Sequence, residues 1–206
     1  MKRLAIILCF LALVVSCATQ PTSSACSYDK NAMLTLSEDA FDQDLSNGGG
    51  GWRRVANIPG CEVAAADLIA QYRDAHPQSA SVLTWHEGQL RASGGQNELA
   101  IPLLLAARKD PGVDLAGWNA YVDATVAFLQ RDKSALIAAR QKLLAVPYVE
   151  VEGMPPLQDG YVTFPTPPGQ PIMRFRWPIN IEVVDGLLNC FDKPYKEASG
   201  EICKVK

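Results

Sequence analysis

The stretch from Gly88 to Pro111, GQLRASGGQNELAIPLLLAARKDP, decides the fold. It holds an apolar segment on each side of the glycine pair at 94–95. Glycine ends helices and adopts turn conformations that other residues avoid, so the pair predicts a turn between helices over 79–92 and 98–109. Asn97 is a candidate cap for the second helix. Two helices joined by so short a turn pack side by side as an antiparallel hairpin.

The same stretch resembles a tetratricopeptide repeat, a pair of helices that stacks with its neighbours into a curved array. Small residues at fixed positions let the two helices of a repeat approach each other closely. The matching positions are Gly88, Gly95, Ala100, Leu104, Ala107 and Pro111. The departures are Trp85, which lies one place from the usual aromatic position, Arg91, which replaces a large apolar residue, and Pro102, which enters the second helix. The resemblance implies a concave surface that binds an extended peptide.

Neighbouring segments carry the same helical period. Residues 60–77 contain an apolar stripe with three- and four-residue steps, and a proline follows its end. The stripe consists of Ala65, Leu68, Ile69 and Tyr72. A further stripe spans 118–129, and its partner helix is predicted over 134–145. These patterns predict a mostly α fold built from tetratricopeptide-like antiparallel helical hairpins.

The chain changes character on both sides of the helical region. The glycines at 48–51 predict a flexible turn, because the sequence after them lacks the Gly-Lys-Ser/Thr ending of a phosphate-binding loop. A brief helix is expected within 27–46. Eight prolines between 146 and 178 exclude a helix and favour extended geometry with two short strands. Residues 179–191 predict a last amphipathic helix. Its apolar residues would face inward and pack on the other helices.

These changes divide the chain into four parts. We expect a signal peptide at 1–16, a tether and amino-terminal segment at 17–50, a helical domain at 51–146, and a proline-rich extension with a carboxy-terminal helix at 147–206.

The amino terminus has the pattern of an export signal. Lys2 and Arg3 precede an uncharged apolar run that is too short to cross a bilayer. Ser16 and Cys17 then resemble the lipobox of bacterial lipoproteins, in which the cysteine receives a diacylglycerol before cleavage. The resemblance implies a lipid anchor at Cys17, and Ala18 implies transfer to the outer membrane, facing the periplasm. An ordinary secretory signal that happens to contain a cysteine is the alternative.

The mature body keeps four cysteines, which is an even number and suits an oxidising compartment. Three pairings are open. We favour Cys26 with Cys61 and Cys190 with Cys203.

Residues that carry chemistry are few. His86 and Glu87 are adjacent on a predicted helix, so their side chains point about 100° apart and do not face one substrate. A histidine packed in a hairpin interface is the favoured interpretation, and neither a metal site nor a cofactor is predicted. Oxidised cysteines offer no thiolate nucleophile. A carboxylate pair such as Glu150 and Glu152 is the remaining catalytic alternative.

A groove along the array is the more natural site. Candidate lining residues are Arg91, Trp118, Tyr121 and Arg140, with core positions as the alternative for Trp118 and Tyr121. A further alternative is that the proline-rich tract fills the groove and closes it.

The net charge of −3 argues against a nucleic-acid partner. We therefore expect a non-catalytic, lipid-anchored module that holds a protein or peptide partner in the periplasm. Two other functions stay open, an inhibitor or immunity-type lipoprotein and an envelope enzyme that acts on glycan or peptide.

Overall fold

The predicted helices form where the sequence places its apolar stripes. The computed structural model describes residues 26–79 and 81–204, which are mostly helical. The helices are α1 Lys30–Leu34, α2 Gly51–Ala56, α3 Glu62–Ala75, α4 Ser81–Ser93, α5 Asn97–Ala106, α6 Trp118–Leu129, α7 Lys133–Leu144, α8 Ile181–Asn189, α9 Tyr195–Ala198 and α10 Glu201–Lys204. The strands are β1 Tyr161–Phe164 and β2 Met173–Arg176. The prediction of a mostly α fold is confirmed.

Helix α3 shows how closely sequence period and burial agree. Its predicted stripe, Ala65, Leu68, Ile69 and Tyr72, is buried in full. The helix ends before His76, whose successor is a proline that cannot continue it. Apolar burial at helical spacing therefore fixes which face of α3 points inward.

Helix α4 separates two apolar clusters. Leu83 and Leu90 belong to an amino-terminal cluster built around α2 and α3. Trp85 and Ala92 belong to a larger cluster that α5, α6, α7, α8 and α9 complete. The α4–α5 and α6–α7 pairs are joined by short turns and pack side by side as hairpins. The boundary between the clusters thus runs along one helix, and no linker separates them.

Gly88 lies at a close approach of α4 and α5. A Cβ added at this position would lie 2.8 Å from Leu104 Cδ2 and 3.3 Å from the Leu104 backbone nitrogen. Both distances are shorter than normal contact, so the hairpin depends on the absence of a side chain here.

We expect Gly88→Ala to lower the free energy of unfolding by about 1–2 kcal/mol, because overpacking outweighs the better helix propensity of alanine. Gly112 is the matched control, since an added Cβ there meets nothing within 4 Å. Gly112→Ala should change the free energy by less than about 0.5 kcal/mol. Urea denaturation of both variants measures the difference, and equal midpoints would contradict close packing at Gly88.

The end of the glycine run is packed against the amino-terminal segment. Gly51 begins α2 with a φ of +47°, and the residue is buried. A Cβ on it would lie 2.0 Å from the Phe41 carbonyl oxygen. The absence of a side chain at Gly51 lets the backbone of α2 contact the backbone at Phe41. The sequence of the glycine run does not predict this contact.

The amino-terminal segment packs into the first cluster. Phe41 is fully buried and stacks on Tyr72, with ring centroids 3.8 Å apart. The Tyr72 hydroxyl donates to the Leu36 carbonyl at 2.9 Å. The disulfide Cys26–Cys61 joins the start of this segment to the residue before α3. Residues 26–50 are therefore part of the helical body.

The proline-rich region forms one antiparallel hairpin. Strands β1 and β2 pair with Tyr161 opposite Arg176 and Phe164 opposite Met173. The guanidinium of Arg174 lies over the Tyr161 ring at 4.0 Å. Trp177 anchors the hairpin base by donating its indole N–H to the Val146 carbonyl at 3.1 Å.

The carboxy-terminal segment packs against the preceding helices. Ile181, Val184 and Leu187 of α8 are fully buried. The disulfide Cys190–Cys203 closes this segment on itself, so both favoured cysteine pairs are present.

Candidate functional site

The four residues predicted to line a groove are divided between the core and two ion-pair networks. Tyr121 is 3% exposed and belongs to the core, so the core alternative is confirmed for this residue and it does not line a groove. Trp118 lies beside it, with ring centroids 5.8 Å apart, and donates its indole N–H to the Ala107 carbonyl at 2.8 Å. Trp118 therefore holds the start of α6 to the end of α5.

Arg91 and Arg140 are both held by carboxylates. Arg91 contacts Glu87 at 3.3 Å and Asp67 at 2.9 Å. Arg140 contacts Asp185 of α8 at 2.6 Å. Asp185 also pairs with Arg176 of β2, so one carboxylate joins α7, the hairpin and α8. Such charge-assisted contacts fix the geometry of the segments that they join.

The inner face of α4 and α6 is covered by the carboxy-terminal segment. The Gln89 amide donates to the hydroxyls of Tyr121 and Tyr195, each at 3.3 Å. Phe128 meets the rings of Phe191 and Tyr195. Burial raises the pKa of Tyr195 to about 12, so its hydroxyl stays neutral and keeps these hydrogen bonds. Residues 181–204, and not the proline-rich tract, therefore cover this face of α4 and α6.

A buried carboxylate, Asp42, lies at the centre of a polar cluster in the amino-terminal half. Its side chain is fully buried. One oxygen, Oδ1, accepts from the indole N–H of Trp52 at 2.7 Å and from His86 Nδ1 at 2.7 Å. Arg53 lies 3.5 Å from the same oxygen and donates to the Asp42 carbonyl, and the Gln43 amide donates to Oδ2. The cluster joins the π-helical turn Asp39–Gln43, α2 and α4.

The neighbours of Asp42 keep it ionised. Burial alone raises the pKa of Asp42, but the hydrogen bond and charge of His86, the Trp52 hydrogen bond and the Arg53 charge together lower the pKa below its ordinary value. A carboxylate that accepts a hydrogen bond from Nδ1 also orients the imidazole of a catalytic general base. Because Asp42 is fully buried and joins three segments, we assign the cluster a structural role.

An open cleft lies between the amino-terminal segment and the proline-rich hairpin. Its volume is about 590 Å³. One wall carries Asp39 and Asp44, and the other carries Pro165, Pro167 and Met173. Hydrogen bonds from Ser46 hold the pKa of Asp44 below its ordinary value, so this wall is anionic at neutral pH. The cleft has the size of a ligand site and combines charge with apolar surface.

Sequence reasoning did not find either feature. Asp42 and His86 lie 44 positions apart, and the two walls of the cleft are more than a hundred positions apart. Only the tertiary fold brings these residues together, so no local sequence spacing predicts either feature.

The predicted lipidation site, Cys17, lies outside the described residues. Over 26–79 and 81–204, no helix has the length and apolar character to cross a membrane. Over the same ranges, no three metal-binding side chains are grouped as a metal site.

Comparison with family models, with curated proteins and with solved structures gave no match for this chain.

Proposed function

We propose that the protein is a lipid-anchored periplasmic module that holds a protein or peptide partner without catalysing a reaction. The observation that carries the proposal is the open cleft between residues 37–45 and the hairpin tip. Residues 181–204 cover the face of α4 and α6 that carries Tyr121 and Phe128, whereas the cleft is open to a partner segment. The signal and lipobox pattern at Cys17 supports the location.

The walls of the cleft specify the chemistry of the partner segment. Two carboxylates on one side attract a cationic group, and the facing prolines and methionine accept apolar side chains. Prolines have a fixed φ, so this wall loses little conformational freedom on binding. A short extended segment with a Lys or Arg beside an apolar residue fits both walls.

Site-specific photo-crosslinking in the bacterial envelope tests the proposal. A photoreactive residue replaces Gln170 in the cleft, and a second chain carries it at the exposed Gln141 of α7 as the matched control. We expect a discrete crosslinked partner from position 170 only, and Asp39→Lys should reduce its yield because it reverses a charge in the cleft. Cys17→Ser should abolish fatty-acid labelling and also reduce the yield.

Equal crosslinking from both positions would reject the cleft as the site, and unchanged labelling of Cys17→Ser would reject the anchor. The identity of the crosslinked protein separates the two non-catalytic alternatives. A resident envelope protein supports a scaffold, whereas a lytic enzyme or toxin supports an inhibitor.

A further inference from the structure

The disulfide Cys190–Cys203 borders an open pocket. The pocket has a volume of about 390 Å³, and both cysteines contribute to its lining. Cys203 is buried, while Cys190 is half-buried. The lining also carries two lysines and two glutamates, so its charges balance. A thiol therefore has a route from solvent to this disulfide, and the charge of the lining does not exclude an anionic thiolate.

The disulfide is the main anchor of α10. Among the four residues of this helix, all of which the structure describes, only Cys203 is buried. Ile202 is 92% exposed and adds nothing to the core. The Asn189 amide donates to the Cys203 carbonyl at 3.0 Å, and backbone packing at Gly186 of α8 accompanies this bond. The one buried side chain that holds α10 in place is thus the disulfide itself.

The other disulfide, Cys26–Cys61, has neighbours that keep its two halves together. Cys61 is 1% exposed. Three partly buried residues that follow Cys26 pack on the amino-terminal cluster, namely Tyr28, Met33 and Leu34. If this bond is reduced, these contacts still hold the two thiols close to each other, which favours re-formation of the bond. The carboxy-terminal pair lacks such support, because α10 brings no other buried side chain.

We propose that Cys190–Cys203 is an exchange site for a protein dithiol and that its reduction releases α10 from α8. A thiolate of the dithiol attacks the sulfur of Cys190, the more exposed cysteine, and displaces Cys203 as a thiolate. The second thiol of the partner then attacks the mixed disulfide and frees Cys190. The partner leaves as a disulfide, and two electrons and two protons have passed to the cysteine pair.

The release is confined to the last described residues. Ile181, Val184 and Leu187 hold α8 in the core without the disulfide, and Tyr195 and Ala198 do the same for α9. Reduction therefore changes the accessibility of residues 199–204 and leaves the cover of α4 and α6 in place. The pair acts on a local segment whose opening costs little of the fold.

Reduction of the folded chain by dithiothreitol tests the proposal, with Cys26–Cys61 as the control in the same sample. Alkylation of the freed thiols and mass spectrometry of the peptides follow each bond separately. We expect Cys190–Cys203 to be reduced at least about tenfold faster. Hydrogen exchange should then show a loss of protection confined to residues 199–204, and Cys203→Ser should reproduce that pattern.

Asn189→Ala tests whether reduction and release are coupled. The hydrogen bond to Cys203 exists only while α10 is docked, so its removal should shift the equilibrium in a dithiothreitol redox buffer toward the reduced pair by about threefold or more. The Cys26–Cys61 equilibrium should not move. If α10 stayed docked after reduction, Asn189→Ala would have no effect, and the proposal would be wrong.

A protein with a Cys-x-x-Cys dithiol tests the partner and the attacked sulfur. When its second cysteine is replaced by serine, the mixed disulfide is not resolved, and alkylation should trap it on Cys190. Its absence would overturn the assignment of a protein dithiol, and so would a mixed disulfide on Cys203. Equal reduction rates for the two disulfides, or loss of protection that spreads into α8, would overturn the local switch. These tests involve neither the cleft nor the lipid anchor, so their result is independent of the proposed function.

Discussion

Asp42→Ala is expected to lower the free energy of unfolding by about 3–5 kcal/mol, because it leaves the buried donors of Trp52, His86 and Arg53 without their carboxylate. Asp42→Asn keeps the shape and one acceptor, so we expect a smaller loss of about 1–3 kcal/mol. The exposed neighbour Asp39 is the matched control, and Asp39→Ala should change the free energy by less than about 0.5 kcal/mol. Urea denaturation at neutral pH measures all three.

The same cluster predicts an acid dependence with a definite sign. The pKa of Asp42 is lower in the folded protein than its ordinary value, so the folded state favours the ionised form. The resulting stabilisation is complete above about pH 4, where Asp42 is ionised in both the folded and the unfolded chain. It is lost as the pH falls further, because the unfolded chain then binds a proton at Asp42 that the folded state releases. The difference in stability between the unaltered chain and Asp42→Asn should therefore shrink below pH 4. A difference that stays constant with pH, or an Asp42→Ala variant as stable as Asp39→Ala, would contradict a buried ionised hub.

Gly51→Ala is expected to be the most disruptive single methyl addition in the described glycines, with a loss of about 3 kcal/mol or more. The new Cβ would lie 2.0 Å from the Phe41 carbonyl oxygen, and backbone atoms cannot rotate away as a side chain can. The positive φ adds further strain for any L side chain.

Gly60 separates the contribution of backbone conformation from that of contact. Its φ is +83°, but an added Cβ meets nothing within 4 Å. Gly60→Ala should therefore cost only about 1–2 kcal/mol, the usual penalty for the left-handed region. Thermal denaturation of the two variants compares them directly. Equal shifts in Tm would show that the contact with Phe41 contributes nothing.

Local patterns predicted the elements whose burial follows one helical stripe. The stripe of α3 is an example, since residues at three- and four-residue steps can bury together only in a helix. Helix α2 was missed because glycine has poor helix propensity, and tertiary contact with Phe41 overrides that propensity here. Tyr121 was a candidate groove residue because the sequence alone does not tell whether an aromatic residue on a helix is exposed or buried. Its neighbour Tyr195, more than seventy positions away, decides between them.

The covering of α4 and α6 by residues 181–204 gives the direction of synthesis a physical meaning. Residues that are made after α7 shield Tyr121 and Phe128 from water. A growing chain that ends after α7 exposes these rings as an apolar aromatic surface. Such an incomplete chain becomes a substrate for chaperones and proteases. The molecule becomes durable only after residues 181–204 have been made, so a stop codon between α7 and α8 removes far more than its length suggests.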